Sequence, residues 1–169
     1  DRDILTRQDA RGAGLSEGDG VYVMGFPLGL VGEHRDYVIA RQGAIARVRD
    51  CLDLSSKDFL IDCAIFPGSS GSPVIVRPDM TSIRGTQPMK CADLIGIVSG
   101  YLPYQEIAIS QQTGRPRMSF EENSGLGKVY PIDYAMELIE KAVAKALDAP
   151  PATEQQPEGA QPPSNPAAS

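Results

Sequence analysis

Short apolar segments, each ending at a turn, follow one another along most of the chain. The clearest are residues 59–61, 73–76 and 94–98, which are too short for helices and rich in β-branched side chains. Further segments of the same kind are residues 21–24, 37–40, 44–49 and 128–130. The pattern predicts six or seven short strands, which suit a small antiparallel barrel.

One segment near the end of the chain has the periodicity of a helix. Residues 133–147 place Ala135, Leu138, Ile139, Ala142, Val143 and Ala146 on one face and charged side chains on the other. Asp133 is the predicted N-cap. The simplest interpretation is a helix packed on the β core, and the alternative is a helix that binds a partner.

Two longer segments interrupt the strands, and a proline-rich stretch follows the helix. The segments are residues 77–93 and 102–123, and in the second, residues 106–109 with a turn at 113–116 predict a hairpin arm. Residues 149–169 contain six prolines and no aromatic residue, so they predict a disordered Pro/Ala-rich tail. The predicted folded domain is therefore residues 1–148.

Composition excludes several classes of function. The 169 residues carry 16 Lys and Arg against 22 Asp and Glu, so the net charge of −6 argues against nucleic acid and anionic membranes as partners. No apolar run approaches the roughly 20 residues of a membrane helix. The three cysteines, Cys51, Cys63 and Cys91, fit no zinc spacing. They are interpreted as free thiols, with a disulfide between two of them left open, and no metal or cofactor is implied.

The segment with the clearest chemistry is residues 66–74, Phe-Pro-Gly-Ser-Ser-Gly-Ser-Pro-Val. A nucleophilic serine needs a tight turn flanked by glycines, which exposes the hydroxyl and directs nearby backbone N–H groups towards one point. Ser70 is the candidate nucleophile, and the N–H groups of Gly68 and Ser70 are the candidate oxyanion hole. The motif lies between two β segments, which disfavours the strand-to-helix elbow of α/β-hydrolases. A structural turn without chemistry is the plain alternative.

The serine motif is one of five segments that match a known pattern in the right order. These segments are residues 15–29, 40–46, 62–74, 94–100 and 127–132. Together they resemble the C-terminal half of a trypsin-like (chymotrypsin-fold) serine peptidase, in particular the bacterial HtrA/Deg-type branch. The resemblance implies an all-β fold: a six-stranded antiparallel β-barrel, the second barrel of a chymotrypsin-like fold, with a C-terminal helix and the tail.

The resemblance also implies roles for individual residues. Ser70 would be the nucleophile, with Gly68 and Ser70 as the oxyanion hole. Ala64 would lie at the base of the primary pocket and Gly100 in its wall, which implies a small or medium apolar substrate side chain and not Lys or Arg. The implied substrate-binding set is Ala64, Ile65, Val98, Ser99 and Gly100. The chain departs from the family at Ser69, usually Asn or Asp, and at Ser72, usually Gly.

The rest of a catalytic triad is not found in the sequence. In the family, His and Asp lie on the first barrel, and no segment here resembles that barrel. His34, the only histidine, is expected in a solvated loop, and Asp3 is a weak alternative for the triad Asp. The expectation is a partial serine endopeptidase domain acting on polypeptides, inactive alone, whose His and Asp come from an N-terminal barrel of the same polypeptide.

Two other interpretations stay open. The first is a non-catalytic peptide-binding or scaffold module on the same fold, in which residues 97–100 pair with an extended peptide. The second is an unrelated β-barrel with an accidental serine turn.

Overall fold

A computed structural model describes residues 3–30, 32–79, 83 and 86–148 of the chain. Within these residues, six antiparallel strands close into a barrel in the order β1-β2-β3-β6-β5-β4. The strands are β1 (Gly20–Gly25), β2 (Ile39–Arg47), β3 (Phe59–Asp62), β4 (Pro73–Val76), β5 (Leu94–Ile109) and β6 (Pro116–Pro131). The predicted barrel is confirmed, whereas the predicted tail, residues 149–169, lies outside the described residues.

Strands β1 and β4 close the barrel and point alternate side chains into it. Val21 and Val23 on β1 pair directly with Val76 and Val74 on β4, and all four side chains are buried. Ile61 on β3 is completely buried among them in the same core. Residues paired across antiparallel strands share one face, so these pairs fill the interior and leave the intervening residues outside.

The predicted strands at residues 37–40 and 44–49 form one strand, β2. No turn separates them, because Gly43 continues the ladder and pairs with Val21. A side chain at Gly43 would collide with the backbone carbonyl of Asp62 on β3, so the glycine marks a close approach of two strands and not a turn. The strand ends at Arg47, and Arg49 begins the short helix α2 (Arg49–Leu52).

A second helix, α1 (Arg7–Ala13), was not predicted from the apolar pattern. Thr6 is its N-cap, since the Thr6 Oγ1 accepts a hydrogen bond from the Asp9 N–H at 3.2 Å. Gly14 ends it with a φ of 84°, in the left-handed region that favours glycine. Only Ala10 of this helix is buried, so there was no apolar stripe to reveal it.

The C-terminal helix is present as α3 (Ile132–Asp148), but the prediction that it packs on the β core is wrong. Its apolar stripe is exposed: Leu138 is 67% exposed and Val143 is 52% exposed. Among the described side chains of α3, only that of Ile132, in the first turn, is buried. The stripe therefore faces solvent in this chain. None of the helices in the described part of the chain is both long and apolar enough to cross a bilayer.

The first turn of α3 is held by α1. Asp133 is not the N-cap that the sequence predicted, because it lies inside the first turn, where its Oδ2 accepts the Arg7 N–H at 3.0 Å. The Arg7 guanidinium lies 4.8 Å from the centre of the Tyr134 ring, and its Nε is 3.5 Å from Asp133 Oδ1. Burial opposes the charge, but Asp133 and Tyr134 outweigh it and raise the pKa of Arg7. This contact fixes where α3 leaves the barrel.

Strands β5 and β6 extend beyond the barrel as a two-stranded arm. Residues 103–109 pair with residues 116–123, which confirms the predicted hairpin and shows that it is longer than predicted. Large apolar side chains on the arm are exposed, among them Ile107 and Phe120.

Candidate functional site

The serine motif forms two consecutive turns, which we call the serine turn (residues 66–72). In the first, the Ser69 N–H donates to the Phe66 carbonyl at 2.9 Å; in the second, the Ser72 N–H donates to the Ser69 carbonyl at 3.1 Å. Gly68 and Gly71 occupy the third position of each turn with φ values of 89° and 87°. Pro67 before Gly68 is the signature of a type II turn, which needs a positive φ at that position.

Two backbone N–H groups of the serine turn have no hydrogen-bond acceptor among the described residues: those of Gly68 and Ser70. Their directions are set by the carbonyls of the same peptide units. The Pro67 carbonyl accepts the Leu28 N–H at 2.7 Å, and the Ser69 carbonyl accepts the Ser72 N–H. Because the peptides are trans, each N–H points away from its own carbonyl and thus away from these partners. The two N–H groups predicted from the sequence to form an oxyanion hole therefore donate to no acceptor among the described residues.

The loop after β1 supports the serine turn from one side. It runs from Gly25 through a single 3-10 turn at Pro27–Gly29. A Cβ at Gly68 would lie 2.8 Å from the Phe26 carbonyl oxygen, so the two segments touch through their backbones. A Cβ at Gly25 would collide with the buried Ser72 hydroxyl. Larger side chains at these positions would separate the loop from the turn.

Two further serines, Ser69 and Ser72, are buried in the turn. Ser69 is 3% exposed, and its Oγ accepts the Phe66 N–H at 3.4 Å. Ser72 is 5% exposed. The side chains at both positions are small enough to fit inside the turn.

The Ser70 hydroxyl is exposed at the surface. Its Oγ donates to the Ser99 carbonyl of β5 at 3.2 Å. Next to it, the Gly71 N–H donates to the Val98 carbonyl and the Val98 N–H donates to the Ser72 carbonyl. These bonds attach the serine turn to β5, and they place Ser70 where an incoming group can reach it.

No imidazole or carboxylate is hydrogen-bonded to Ser70 among the described residues. His34 is exposed, and no hydrogen bond or ion pair of the described chain joins it to Ser70. The Asp3 carbonyl accepts the N–H of Leu94, the first residue of β5, at 3.0 Å, and Asp3 borders a separate cleft. Neither residue is brought to the serine turn by a contact in this structure.

The five residues expected to bind substrate fall into two groups. Ala64 and Ser99 are exposed and Gly100 is half-buried, so these three can be reached from outside. Ile65 is 1% exposed and Val98 is 2% exposed, because both side chains are part of the barrel core. Only the backbone of these two residues is available to a ligand. The assignment of all five to a substrate site stays a prediction.

Two residues that were not predicted from the sequence hold the segment between β3 and the serine turn. The Arg41 guanidinium donates to the Ala64 carbonyl at 2.7 Å and lies 5.0 Å from the centre of the Phe66 ring. The Asn123 amide donates to the Ile65 carbonyl. Arg41 comes from β2 and Asn123 from the arm, so nothing local in the sequence brings them together.

The described residues include no activated cysteine next to the serine turn. All three cysteines are free, with Cys51 and Cys63 buried and Cys91 exposed. Burial raises the pKa of Cys63, the thiol nearest to the serine turn along the chain, although Arg41 opposes the rise. Cys63 therefore stays a protonated thiol and a poor nucleophile. In the described part of the chain, no group of three His, Cys, Asp or Glu side chains could hold a metal ion.

Comparisons with known proteins do not identify a family for this chain. No protein-family model matches it, and neither a curated protein nor a solved structure matches it.

Proposed function

We propose that this chain is the serine-bearing barrel of a serine endopeptidase, with Ser70 as the nucleophile. The observation that carries the proposal is the serine turn. It presents an exposed hydroxyl beside two backbone N–H groups, of Gly68 and Ser70, that have no acceptor among the described residues. The closed six-stranded barrel, as expected for the second barrel of a trypsin-like peptidase, supports the proposal.

The proposed reaction is acyl transfer. A base removes the Ser70 proton while Oγ forms a bond to the carbonyl carbon of a peptide, and the π electrons of the carbonyl move to its oxygen. The N–H groups of Gly68 and Ser70 stabilise this oxyanion. When the C–N bond breaks, the amine takes the proton from the base and leaves. Water then attacks the acyl carbon while the base takes a proton from the water. The bond between the acyl carbon and Oγ breaks, Ser70 Oγ takes that proton back, and the carboxylic acid product leaves.

The base and its orienting carboxylate come, in this proposal, from polypeptide outside these 169 residues. The Ser99 carbonyl that accepts the Ser70 hydroxyl is not basic enough to activate it, and no other acceptor is seen among the described residues. A serine hydroxyl without a base is a weak nucleophile at neutral pH. The 169-residue chain should therefore be inactive by itself.

A second candidate function is peptide binding without catalysis. Strand β4 pairs with β5 only as far as Ile97. At Val98, the backbone hydrogen bonds of β5 are made with the serine turn instead. Beyond this point β5 continues past Ser99 with no β4 partner in the described chain. An extended peptide could add its backbone hydrogen bonds along that edge.

The test is to label two proteins with a fluorophosphonate probe: the complete gene product that contains this segment, and the 169-residue chain alone. We expect the complete product to be labelled, with mass spectrometry placing the adduct on Ser70, and the chain alone to stay unlabelled because it lacks the base.

Absence of labelling in the complete product, or an adduct on another residue, would show that the peptidase proposal is wrong. If the unlabelled protein still binds extended peptides, the second candidate is the better description. Rapid labelling of the 169-residue chain would refute the claim that the base lies outside it.

A further inference from the structure

The arm carries large apolar side chains that the described chain leaves uncovered. Its two strands, residues 103–109 and 116–123, pair only with each other, and every one of these residues is exposed. The large apolar side chains among them, each at least half exposed, are those of Tyr104, Ile107, Ile109, Met118 and Phe120. A two-stranded ribbon with no covered face is only marginally stable in water. Additional strands would therefore stabilise the arm.

The edge of the arm on β6 is open to a further strand. Inside the barrel, β6 pairs with β3 as far as Leu126, and nearer the arm the Asn123 amide donates to the Ile65 carbonyl. Residues 116–122, which we call the β6 edge, have no backbone hydrogen-bond partner other than β5 in the described chain. The outward backbone groups of such an edge are a template for strand addition.

The charges along the β6 edge are divided between its two ends. Arg117, with Arg115 directly before the edge, lies at the end next to the tip of the arm, and Glu121 and Glu122 lie at the end next to the barrel. None of these four side chains forms an ion pair within the described part of the chain. Glu121 accepts a hydrogen bond from the Tyr101 hydroxyl at 3.1 Å. The edge is therefore basic at one end and acidic at the other.

Two copies of the β6 edge complement each other in the antiparallel orientation. Antiparallel pairing places the basic end of each copy beside the acidic end of the other, whereas parallel pairing would bring like charges together. Met118 and Phe120 lie between the charged ends, so the apolar side chains of both copies meet in the middle. Two identical edges related by a two-fold axis satisfy each other, so the assembly closes as a dimer.

The opposite edge of the arm, on β5, lacks this complementarity. Among residues 103–109 the one charged side chain is that of Glu106, and its Oε1 accepts the Tyr104 hydroxyl at 3.2 Å. Pro103 has no N–H to donate to a neighbouring strand. A second copy on the β5 edge would gain no opposite-charge pair with the same edge, so the charges favour the β6 edge.

We propose that the β6 edge binds the same edge of a second copy of this chain in antiparallel orientation. The two arms then form one four-stranded sheet, in which each arm gains the neighbouring strands that it lacks alone. The inference rests on the arm and does not depend on the proposed peptidase function.

Sedimentation equilibrium of the 169-residue chain tests the association. We expect a monomer–dimer equilibrium with a micromolar to submillimolar dissociation constant. Two variants each reverse one end of the edge: Arg115→Glu with Arg117→Glu, and Glu121→Arg with Glu122→Arg. Each should raise the dissociation constant about tenfold or more, because like charges then meet at both ends of the dimer. Combining all four substitutions restores opposite charges and should return the constant to within about threefold of the parent value.

The matched control reverses two exposed cations outside the arm, Arg35→Glu with Lys90→Glu, and should change the dissociation constant less than about twofold. Hydrogen exchange of the unmodified chain locates the contact without any variant. Amides of the β6 edge should exchange several-fold more slowly at concentrations where the dimer dominates than in dilute solution. Those of α3, whose apolar stripe is also exposed, should exchange at the same rate in both.

Three results would each overturn the proposal. The first is a chain that stays monomeric up to millimolar concentration. The second is a dimer that the single-end reversals leave intact or that the combined variant does not restore. The third is protection at high concentration that lies on α3 and not on the β6 edge.

Discussion

Replacing Ser70 by alanine is expected to lower kcat/KM for peptide hydrolysis by the complete gene product at least about a thousandfold. The variant removes the one hydroxyl that the serine turn exposes beside the N–H groups of Gly68 and Ser70. Without it no acyl-enzyme forms, so the loss should appear mainly in kcat. The backbone of the turn is held by other bonds, from Gly71 and Ser72, so the fold should be retained.

Steady-state hydrolysis of a fluorogenic peptide checks this prediction. Ser119→Ala is the matched control, because Ser119 is an exposed serine on the arm and should keep the parent rate within about twofold. If Ser70→Ala hydrolyses the peptide as fast as Ser119→Ala does, Ser70 is not the nucleophile.

Replacing Gly68 by alanine is expected to destabilise the chain by about 3 kcal/mol. A side chain at a φ of 89° costs roughly 1–2 kcal/mol for any L-residue. The added Cβ would also lie 2.8 Å from the Phe26 carbonyl oxygen, and the backbone shift that relieves such overpacking costs about 1–3 kcal/mol. The same shift would break the bond between Leu28 and Pro67 that orients the Gly68 N–H.

Gly114→Ala separates the cost of a side chain at positive φ from the cost of its contact with the Phe26 carbonyl. Gly114 has a φ of 64°, but a Cβ there would meet nothing within 4 Å, so the expected cost is about 1 kcal/mol from the backbone alone. Urea unfolding of the 169-residue chain measures both variants. Equal losses at Gly68 and Gly114 would mean that the loop after β1 does not press on the serine turn.

The barrel was predictable where a strand is a short apolar segment with alternating burial, as in β3 and β4. Strand β4 coincides with the predicted segment 73–76, and β3 extends the predicted 59–61 by one residue. The error at β2 was to divide one strand into two segments on either side of residues 41–43, which include Gly43. The sequence does not show that this glycine is required by the backbone of the neighbouring strand.

The helices were predicted less well, for two different physical reasons. For α3, the apolar stripe indicates which face of the helix should be covered, but it does not indicate which surface covers it. The interior of this barrel is filled by its own strands, and Leu138 and Val143 therefore remain exposed. For α1, the apolar signal was weak, yet Thr6 followed three positions later by Asp9 is a capping signal that could have revealed the helix.

The serine turn could be predicted because its chemistry is local in sequence: glycines, a proline and small side chains at fixed spacing. The residues that support the turn could not be predicted in this way. Arg41 of β2 and Asn123 of the arm contact the segment between β3 and the turn, and these contacts depend on the strand register.

The role of Ser70 and of the two N–H groups is tested most directly by the structure of the complete gene product after reaction with a fluorophosphonate. We expect phosphorus bonded to Ser70 Oγ, with the phosphonyl oxygen about 2.7–3.1 Å from the backbone nitrogens of both Gly68 and Ser70. A phosphonyl oxygen that points into solvent and contacts neither nitrogen would contradict it.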